Sequence, residues 1–297
     1  KVSRQDLVIT SHPHADHMGG MEDVVRNHEV GLYIDNGMTH TTQTYQSLMM
    51  AIEELGIAYR SARSGLEINL GDEAVLQVLL PGDTLLRDTR SDLNSNSVVA
   101  VLSHGEVDFL LTGDAEEPTE ALLSRQEMPS IEVLKVAHHG SSHSSSTAFL
   151  RSVQPQTAII SCGAGNRYGH PDDEALERLH AVGAMVYRTD QSGHIRAISN
   201  GETVEVLEMG NLTGLTETPP AMASFTNITP PANSAAVRAV TPVGVTAPRT
   251  SEPAPEDLSS GLNLSGVRVL VPEEEQLTPR QLRKLRKKQR KEARNNR

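Results

Sequence analysis

Apolar residues fall into short runs along the first 209 residues. Runs rich in valine and isoleucine predict strands at 7–10, 31–34, 57–61, 75–80, 98–103, 107–112, 131–137, 157–161, 185–188, 194–198 and 204–207. Helical periodicity predicts helices at 20–28, 42–55, 118–126, 146–153 and 172–182. His104-Gly105-Glu106 separates two apolar runs and predicts a tight hairpin. This mixture of elements indicates an α/β sandwich, with sheets covered by helices.

Composition changes near residue 209. Six of the 16 prolines lie before residue 210 and ten lie after it, whereas seven of the eight Phe and Tyr residues lie before it. We therefore expect a packed domain at residues 1–209, a low-complexity Pro/Thr/Ala/Ser linker at 210–265 and a basic C-terminal tail at 266–297. The linker lacks the periodic apolar pattern that would let it bury surface, so we expect it to be disordered.

Charge is segregated along the chain. The stretch from Leu277 to Arg297 holds ten Lys or Arg against one acid and carries +9. Because the whole chain carries −11, residues 1–276 carry −20. Two interpretations of the tail remain open: a solvated appendage, or a tether that binds a phosphate backbone or another anionic polymer.

Two protein classes are excluded by composition. No run approaches the roughly 18–20 apolar residues of a membrane helix, so no membrane span is predicted in this chain. The single cysteine, Cys162, cannot form an internal disulfide, which excludes the disulfide-stapled secreted class. The chain starts at Lys1 without a signal-like segment and we expect it to be a fragment. The sequence leaves the oligomeric state open.

The densest candidate chemistry follows the first predicted strand. Three imidazoles and one carboxylate occur within six residues, at His12, His14, Asp16 and His17. A loop between a strand and a helix can direct all four side chains toward one point, and a mixed nitrogen and oxygen set suits Zn, Mn or Fe. The spacing allows two metals, one held by His12 and His14 and the other by Asp16 and His17.

Two further clusters follow later strands. Asp114 comes after the apolar run 107–112, and the pair His138-His139 comes after the run 131–137. The two oxygens of Asp114 could bridge two cations, and one histidine of the pair could complete the second metal. A structural zinc would more often use thiolates, but Cys162 is remote in sequence. We therefore predict a centre that binds two divalent metal ions, Zn or Mn.

These motifs resemble the metallo-β-lactamase fold, and in particular the extracytoplasmic hydrolase domain of ComEC-type DNA internalisation and competence proteins. The motifs that carry the resemblance are His12-x-His14-x-Asp16-His17, Thr112-Gly113-Asp114, His138-His139-Gly140-Ser141, Asn94-Ser95-Asn96-Ser97-Val98-Val99, the segment 163–171 and the segment 188–193. The resemblance spans about Asp6 to Leu207 and implies an αββα sandwich. It does not cover the tail.

The resemblance also implies roles for individual residues. It places His12 and His14 on the first metal, Asp16 and His17 on the second, and Asp114 between them. Either His138 or His139 would be the remaining ligand of the second metal. We favour His139, because the ligand in related folds commonly precedes glycine, which leaves His138 to contact the substrate.

Two departures from the family pattern change the expectations. Many relatives have a histidine as the third protein ligand of the first metal, whereas this chain offers only Asn94, Asn96 and Ser97 there. We therefore expect weaker binding at the first site. The first strands of the family, with their Asp-Val-Gly-Gln-Gly-Asp-like segment, are expected before Lys1. Without them one sheet has an unfilled edge, and we expect a fragment of reduced stability or activity.

The mechanism implied by two metals is hydrolytic. A water that bridges two cations loses a proton and becomes a hydroxide nucleophile, while the cations neutralise charge on a phosphoryl or acyl oxygen. Asp16 is a candidate for catalysis as well as for metal binding. The candidate hydrogen-bond donors to a substrate phosphoryl group are His138, Asn96, Ser141 and His170. An alternative role for His170 is to cap the helix predicted at 172–182.

The favoured function is a DNA nuclease or phosphodiesterase of the ComEC type. The enzymatic alternative is a phosphorylcholine esterase or lactonase, and the non-enzymatic alternative is a nucleic-acid-binding protein that acts through its basic tail. The charge of −20 before the tail repels DNA, which weighs against the nuclease. The location would be extracytoplasmic for a ComEC-type protein and cytoplasmic otherwise.

Overall fold

The computed structural model describes residues 3–71, 73–126, 128–210 and 268–270. Nearly all of the predicted linker and tail, residues 211–267 and 271–297, lies outside the described residues, so the expected disorder and the domain bounds stay predictions. The described residues contain strands β1 (Arg4–Ile9), β2 (Glu29–Asp35), β3 (Ala58–Ser61), β4 (Glu67–Gly71), β5 (Ala74–Leu80), β6 (Val99–His104), β7 (Val107–Leu111), β8 (Val133–Lys135), β9 (Thr157–Ile160), β10 (Met185–Arg188), β11 (Ile195–Ser199), β12 (Val204–Glu208) and β13 (Arg268–Leu270).

Eight α-helices connect these strands within the described part of the chain. They are α1 (Ala15–Met18), α2 (Met21–Asn27), α3 (Gln43–Glu54), α4 (Asp92–Ser95), α5 (Glu117–Leu123), α6 (Thr147–Val153), α7 (Asp173–Ala181) and α8 (Thr189–Ser192). A 3₁₀ turn at Ala137–Gly140 follows β8. Each of the five predicted helices is present, with ends that differ from the prediction by at most three residues.

The strands form two main sheets that pack face to face. One is a parallel sheet in the order β1-β2-β3, and the other has eight strands in the order β10-β9-β8-β7-β6-β5-β4-β13. Strands β11 and β12 form a separate antiparallel pair. Three apolar clusters separate the layers: one joins α3 to the first sheet, one lies between the sheets, and one joins the second sheet to α6 and α7. The fold is an αββα sandwich, as the sequence predicts.

Strand β2 shows how the sequence produces these layers. Successive side chains of a strand point to opposite faces, so alternate residues enter different cores. Leu32 and Ile34 lie in the cluster between the sheets. Tyr33, which stands between them, packs in the cluster that contains Leu48 and Ile52 of α3. A continuous apolar run therefore marks a strand that is buried on both faces.

The predicted hairpin is confirmed. Strands β6 and β7 are antiparallel, and His104 lies opposite Val107. Gly105 has a φ of +59°, and a Cβ there would lie 2.3 Å from the carbonyl oxygen of Gly201. Only glycine fits this turn without displacing the backbone of the neighbouring loop.

Some elements differ from the sequence prediction. Strand β4 was not predicted, because Ile68 and Leu70 are the only apolar residues in it and the pattern is too short to distinguish from a loop. The strand predicted at 131–137 is reduced to β8, because the chain turns into the 3₁₀ segment at Ala137. Strand β13 pairs antiparallel with β4 and lies inside the range 266–297 that was assigned to the tail.

Two parallel strands bring the later motifs to one edge of the sandwich. Leu111 of β7 lies opposite Lys135 of β8, so the residues that follow both strands emerge side by side. The His138 amide donates to the carbonyl oxygen of Gly113 at 3.1 Å and joins the two loops. The loop after β1 reaches the same edge, where the amide of Val98 donates to the carbonyl oxygen of Ser11 at 2.9 Å.

Candidate metal centre

The loop after β1 carries four of the predicted ligands. His14 is the residue before α1, and Asp16 and His17 lie within that four-residue helix. His12 is fully buried, and its Nε2 lies 2.9 Å from Nδ1 of His14. The hydroxyl of Ser11 lies 3.1 Å from Nδ1 of His12 and 3.4 Å from Nδ1 of His17. The short loop therefore directs three imidazoles into one small volume.

Gly113 fixes the position of Asp114. Its φ is +52°, and a Cβ at this position would lie 2.8 Å from Cβ of Ser11 and 2.9 Å from Cβ of Ser97. The absence of a side chain allows the loop after β7 to approach the loop after β1. The amide of Asp114 then donates to Oγ of Ser97 at 3.1 Å, which holds the carboxylate in place.

Asp114 lies between two groups of imidazoles. Its Oδ1 is 3.1 Å from Nε2 of His17 and 3.7 Å from Nε2 of His139. Its Oδ2 is 3.7 Å from Nε2 of His12 and 3.8 Å from Nε2 of His138. Each oxygen of one buried carboxylate thus faces a different pair of rings.

Two sets of residues share Asp114, and within each set the potential ligand atoms all lie within 4.8 Å of one another. The first set is His12, His14 and Asp114, and the second set is Asp16, His17, Asp114 and His139. We call these the first and second ligand sets, and together the candidate metal centre. The assignment of these residues to two metals, which the family resemblance implies, stays a prediction.

The centre has the properties of a metal site. Oδ1 of Asp114 is buried and accepts no well-aligned hydrogen bond. Nε2 of His139 lies 3.2 Å from Nε2 of His17, so nitrogen atoms of two rings converge on one point. All the candidate ligand atoms are imidazole nitrogens and carboxylate oxygens, the donors that suit divalent Zn, Mn or Fe. The residues present therefore fit two divalent cations.

The protonation states of His12, Asp16 and Asp114 favour cation binding. Burial alone would raise the pKa of Asp114, but the neighbouring imidazoles, first that of His17, lower it to about 2. Burial lowers the pKa of His12 to about 3, so this ring is neutral at pH 7. The hydrogen bond with His139 holds the pKa of Asp16 far below its usual range. The same contact raises the pKa of His139, so a cation at this position would have to displace a proton from that ring. Neutral imidazole and ionised carboxylate are the forms that bind metal.

His138 and His139 adopt an uncommon backbone conformation. Their φ angles are 49° and 55°, in the left-handed region that non-glycine residues rarely occupy. Nδ1 of His139 donates to the carbonyl oxygen of Ser161 at 2.7 Å, which leaves its Nε2 directed at Asp16 and Asp114. Backbone strain of this kind is often found at functional sites.

Glu116 lies beside the neighbouring ring. Its Oε1 lies 3.4 Å from Nδ1 of His138, whose Nε2 is then directed toward Asp114. Acceptors at the second ring nitrogen are common behind metal-bound or catalytic histidines. Nothing in the sequence distinguishes Glu116 from the other acidic residues of the run Asp114-Ala115-Glu116-Glu117, so its position was not predicted. His138 lies outside both ligand sets, whereas His139 lies in the second.

The prediction that Asn96 donates a hydrogen bond to the substrate is wrong. Its side chain is buried, and its amide nitrogen donates to the carbonyl oxygens of Leu86 and Asp92 at 2.9 and 2.7 Å. Both N–H groups are therefore used inside the protein, and none is left to donate to a substrate. Of the three residues considered for the third ligand position, Ser97 contacts a ring of the centre, with its Oγ 3.3 Å from Nδ1 of His12.

His170 lies next to the centre. Its ring centroid is 5.7 Å from that of His138, and its Nδ1 is 3.2 Å from Oδ1 of Asp172. The N-cap of α7 is Asp172 itself, and no side-chain hydrogen bond caps the helix. The structure thus differs from the alternative in which His170 caps this helix, and it places the ring where a substrate could meet it.

Residues 1–164 match the family model described as the Metallo-beta-lactamase superfamily. This chain belongs to that superfamily. The metallo-β-lactamase domain is 34% identical to "ComE operon protein 3" of Bacillus subtilis (strain 168) over 198 residues, which are 66% of this chain and 25% of the relative. It is 32% identical to "Recombination protein 2" of Haemophilus influenzae over 191 residues, which are 64% of this chain and 22% of the relative.

A third relative is "Competence protein ComA" of Neisseria gonorrhoeae, which is 28% identical over 201 residues, 66% of this chain and 25% of the relative. These relatives are ComEC-type competence proteins, and the chain spans about a quarter of their length. The metallo-β-lactamase domain is therefore a hydrolase domain related to one part of much longer proteins. Among the described residues, no helix combines the length and the apolar character needed to cross a membrane.

Proposed function

We propose that this domain is a two-metal phosphodiesterase that acts on nucleic acid, with DNA as the expected substrate. The observation that carries the proposal is the position of Asp114, whose two oxygens face separate imidazole pairs. A carboxylate so placed can bridge two cations, an arrangement well suited to phosphodiester cleavage. The names of the relatives, which include "Competence protein" and "Recombination protein", favour DNA over other phosphodiesters.

The metals would be held by the two ligand sets. His12 and His14 would bind the first cation, Asp16, His17 and His139 the second, and Asp114 both. When bound, two cations such as Zn²⁺ or Mn²⁺ supply a nucleophile from water and neutralise the charge that develops on the phosphoryl oxygens. The first set has fewer protein ligands than the second, so we expect it to bind more weakly.

Asp16 lies at the solvent edge of the centre. Its side chain is 57% exposed, whereas those of His12 and Asp114 are almost completely buried. Its low pKa keeps the carboxylate ionised at neutral pH. Besides binding metal, an ionised oxygen at this edge can accept a hydrogen bond from an entering water and orient it for attack.

His138 and His170 would contact the substrate. Each ring has a carboxylate near Nδ1, Glu116 for His138 and Asp172 for His170. In its protonated form, each ring has a second N–H at the opposite nitrogen, which can donate to a phosphoryl oxygen or to the leaving oxygen. Hydrogen-bond donors fixed in this way lower the barrier because they need no reorientation during the reaction.

The test is turnover by the metal-loaded full chain, with metal content measured on the same sample. We expect about two ions per chain and hydrolysis of both bis-p-nitrophenyl phosphate and single-stranded DNA. Turnover of a lactone or a phosphorylcholine ester, without turnover of either phosphodiester, would contradict the substrate class. DNA binding without hydrolysis of any of these substrates would contradict an enzymatic function and favour binding through the basic tail.

A further inference from the structure

An exposed aromatic ring stands beside the candidate metal centre. Tyr168 is 63% exposed, more than any other large apolar residue that is exposed among the described residues. Its ring is nearly parallel to that of His170, with an interplanar angle of 16° and centroids 6.0 Å apart. The His170 ring in turn lies 5.7 Å from that of His138, whose Nε2 faces Asp114. A row of rings thus leads from the surface to the centre.

A positive charge accompanies this ring. The guanidinium carbon of Arg167 lies 4.8 Å from the Tyr168 ring centroid, and Nη2 of Arg167 donates to the Tyr168 hydroxyl at 2.6 Å. In the part of the chain that the structure describes, Arg167 forms no ion pair with a carboxylate. An arginine without an acidic partner is notable where residues 1–276 carry −20.

The side chain of Asn166 stabilises the loop that carries both residues. Oδ1 of Asn166 accepts from the amides of Tyr168 and His170 at 3.2 and 3.1 Å. Its amide nitrogen donates to the carbonyl oxygens of Gly163 and His170 at 3.0 and 2.6 Å. These bonds stabilise the loop backbone without any contribution from the Tyr168 ring. The exposed ring therefore adds little to the stability of the fold.

We propose that Tyr168 and Arg167 form a stacking platform for an unpaired nucleobase, next to the phosphodiester that is cleaved. The proposal rests on the proposed function, because the base would belong to the nucleic-acid substrate. An aromatic ring can stack on the face of any base, and an adjacent arginine adds attraction to the base and to a neighbouring phosphate. Bases in a duplex are already stacked on both faces, so the platform selects single strands.

The test compares two oligonucleotides of equal charge. We would measure the Kd of the Mn²⁺-loaded full chain for a fluorescent oligothymidylate of about 12 nucleotides and for an abasic strand of the same length. Phosphorothioate linkages in both strands would slow hydrolysis during the measurement. The metals and the basic tail would contact the same sugar-phosphate backbone in both strands. The ratio of the two Kd values therefore measures the contribution of the bases to affinity.

We expect the unchanged chain to bind the base-bearing strand about tenfold more tightly, an effect within the range reported for stacking of one base. Tyr168→Ala should bring the ratio close to one, and Tyr168→Phe should keep it. Met50→Ala is a matched control, because Met50 is 52% exposed but lies on α3. Melting temperatures of all variants would show that they are folded.

Equal affinities in the unchanged chain, or a preference that survives Tyr168→Ala, would overturn the platform. Hydrolysis of bis-p-nitrophenyl phosphate, measured separately, distinguishes this failure from that of the proposed function. A chain that hydrolyses phosphodiesters without a base preference contradicts the platform alone. A chain that keeps the Tyr168-dependent preference but hydrolyses no phosphodiester contradicts the phosphodiesterase alone.

Discussion

Oε1 of Glu116 lies 3.4 Å from one nitrogen of the His138 ring, and the opposite nitrogen lies 3.8 Å from Oδ2 of Asp114. Glu116 is 2% exposed and also accepts from Nη2 of Arg90 and Nδ2 of Asn94, both at 3.0 Å. Burial alone would raise its pKa, but these contacts lower it, so the carboxylate stays ionised. An ionised carboxylate behind His138 fixes the direction in which the ring presents its free nitrogen.

Glu116→Gln should therefore impair turnover more than folding. The amide has nearly the shape of the carboxylate, but it loses the charge that orients His138. We expect turnover of bis-p-nitrophenyl phosphate to fall by about 10–100-fold, as is common for residues behind a functional histidine. Glu117→Gln is the matched control, because Glu117 is adjacent and exposed. Equal turnover by the two variants would show that Glu116 does not position the ring.

Gly113→Ala should destabilise the domain. The new Cβ would meet Ser11 and Ser97 at 2.8 and 2.9 Å, and alanine would have to adopt a φ of +52°. We expect a loss of roughly 2–5 kcal/mol in the free energy of unfolding, from left-handed strain and overpacking together. Chemical denaturation measures it. Gly56→Ala is the control, since Gly56 has a φ of +66° with open space around it, and a loss as large as that of Gly113→Ala would contradict the steric argument.

Metal should load in two steps. The second ligand set offers four protein residues and the first only three, and a cation held by fewer protein ligands is expected to bind less tightly. A calorimetric titration of the metal-free chain with Mn²⁺ should resolve a tight and a weak site. His14→Ala should remove the weak step and leave the tight one. Two sites of equal affinity in the unchanged chain would mean that the first set has a further ligand.

Deletion of residues 277–297 should affect DNA binding but not the hydrolysis of small substrates. If this stretch binds phosphates, its loss should reduce the slope of log affinity against log salt concentration by about 3 to 6. This range corresponds to contact of only part of its +9 charge with phosphates. Fluorescence anisotropy over a range of salt concentrations measures this slope. An unchanged slope would identify the tail as a solvated appendage, and lost turnover of bis-p-nitrophenyl phosphate would show that the tail packs on the domain.

The sequence predicts those site residues that can be recognised by their type and by their position at the end of a predicted strand. His12, Asp114 and His139 follow apolar runs, and parallel strands bring such positions to one edge of a sheet. The two sheets and the outer helices followed from the same runs. The preference for His139 over His138 required the family resemblance in addition, because residue type and spacing left that choice open.

The roles of other residues of the site could not be predicted from the sequence. Ser11 and Ser97 are small hydroxyl residues of the kind found in any loop, and their role depends on the approach permitted by Gly113. Asn96 looked like a substrate donor because it is polar and lies near a motif, yet its amide is used to hold the loop at Leu86. Such roles depend on contacts between residues far apart in the chain, which local patterns do not encode.

The most direct measurement of the central claim is the metal content and phosphodiester turnover of Asp114→Asn beside the unchanged chain. Asparagine keeps the shape of the side chain and removes the charge between the two ligand sets, so we expect a fall from two bound ions to at most one. We also expect loss of bis-p-nitrophenyl phosphate hydrolysis with little change in melting temperature. Asp23→Asn, at an exposed position of α2, should retain both ions and full turnover. Two ions and full turnover in Asp114→Asn would contradict a bridging role for Asp114 and with it the two-metal account.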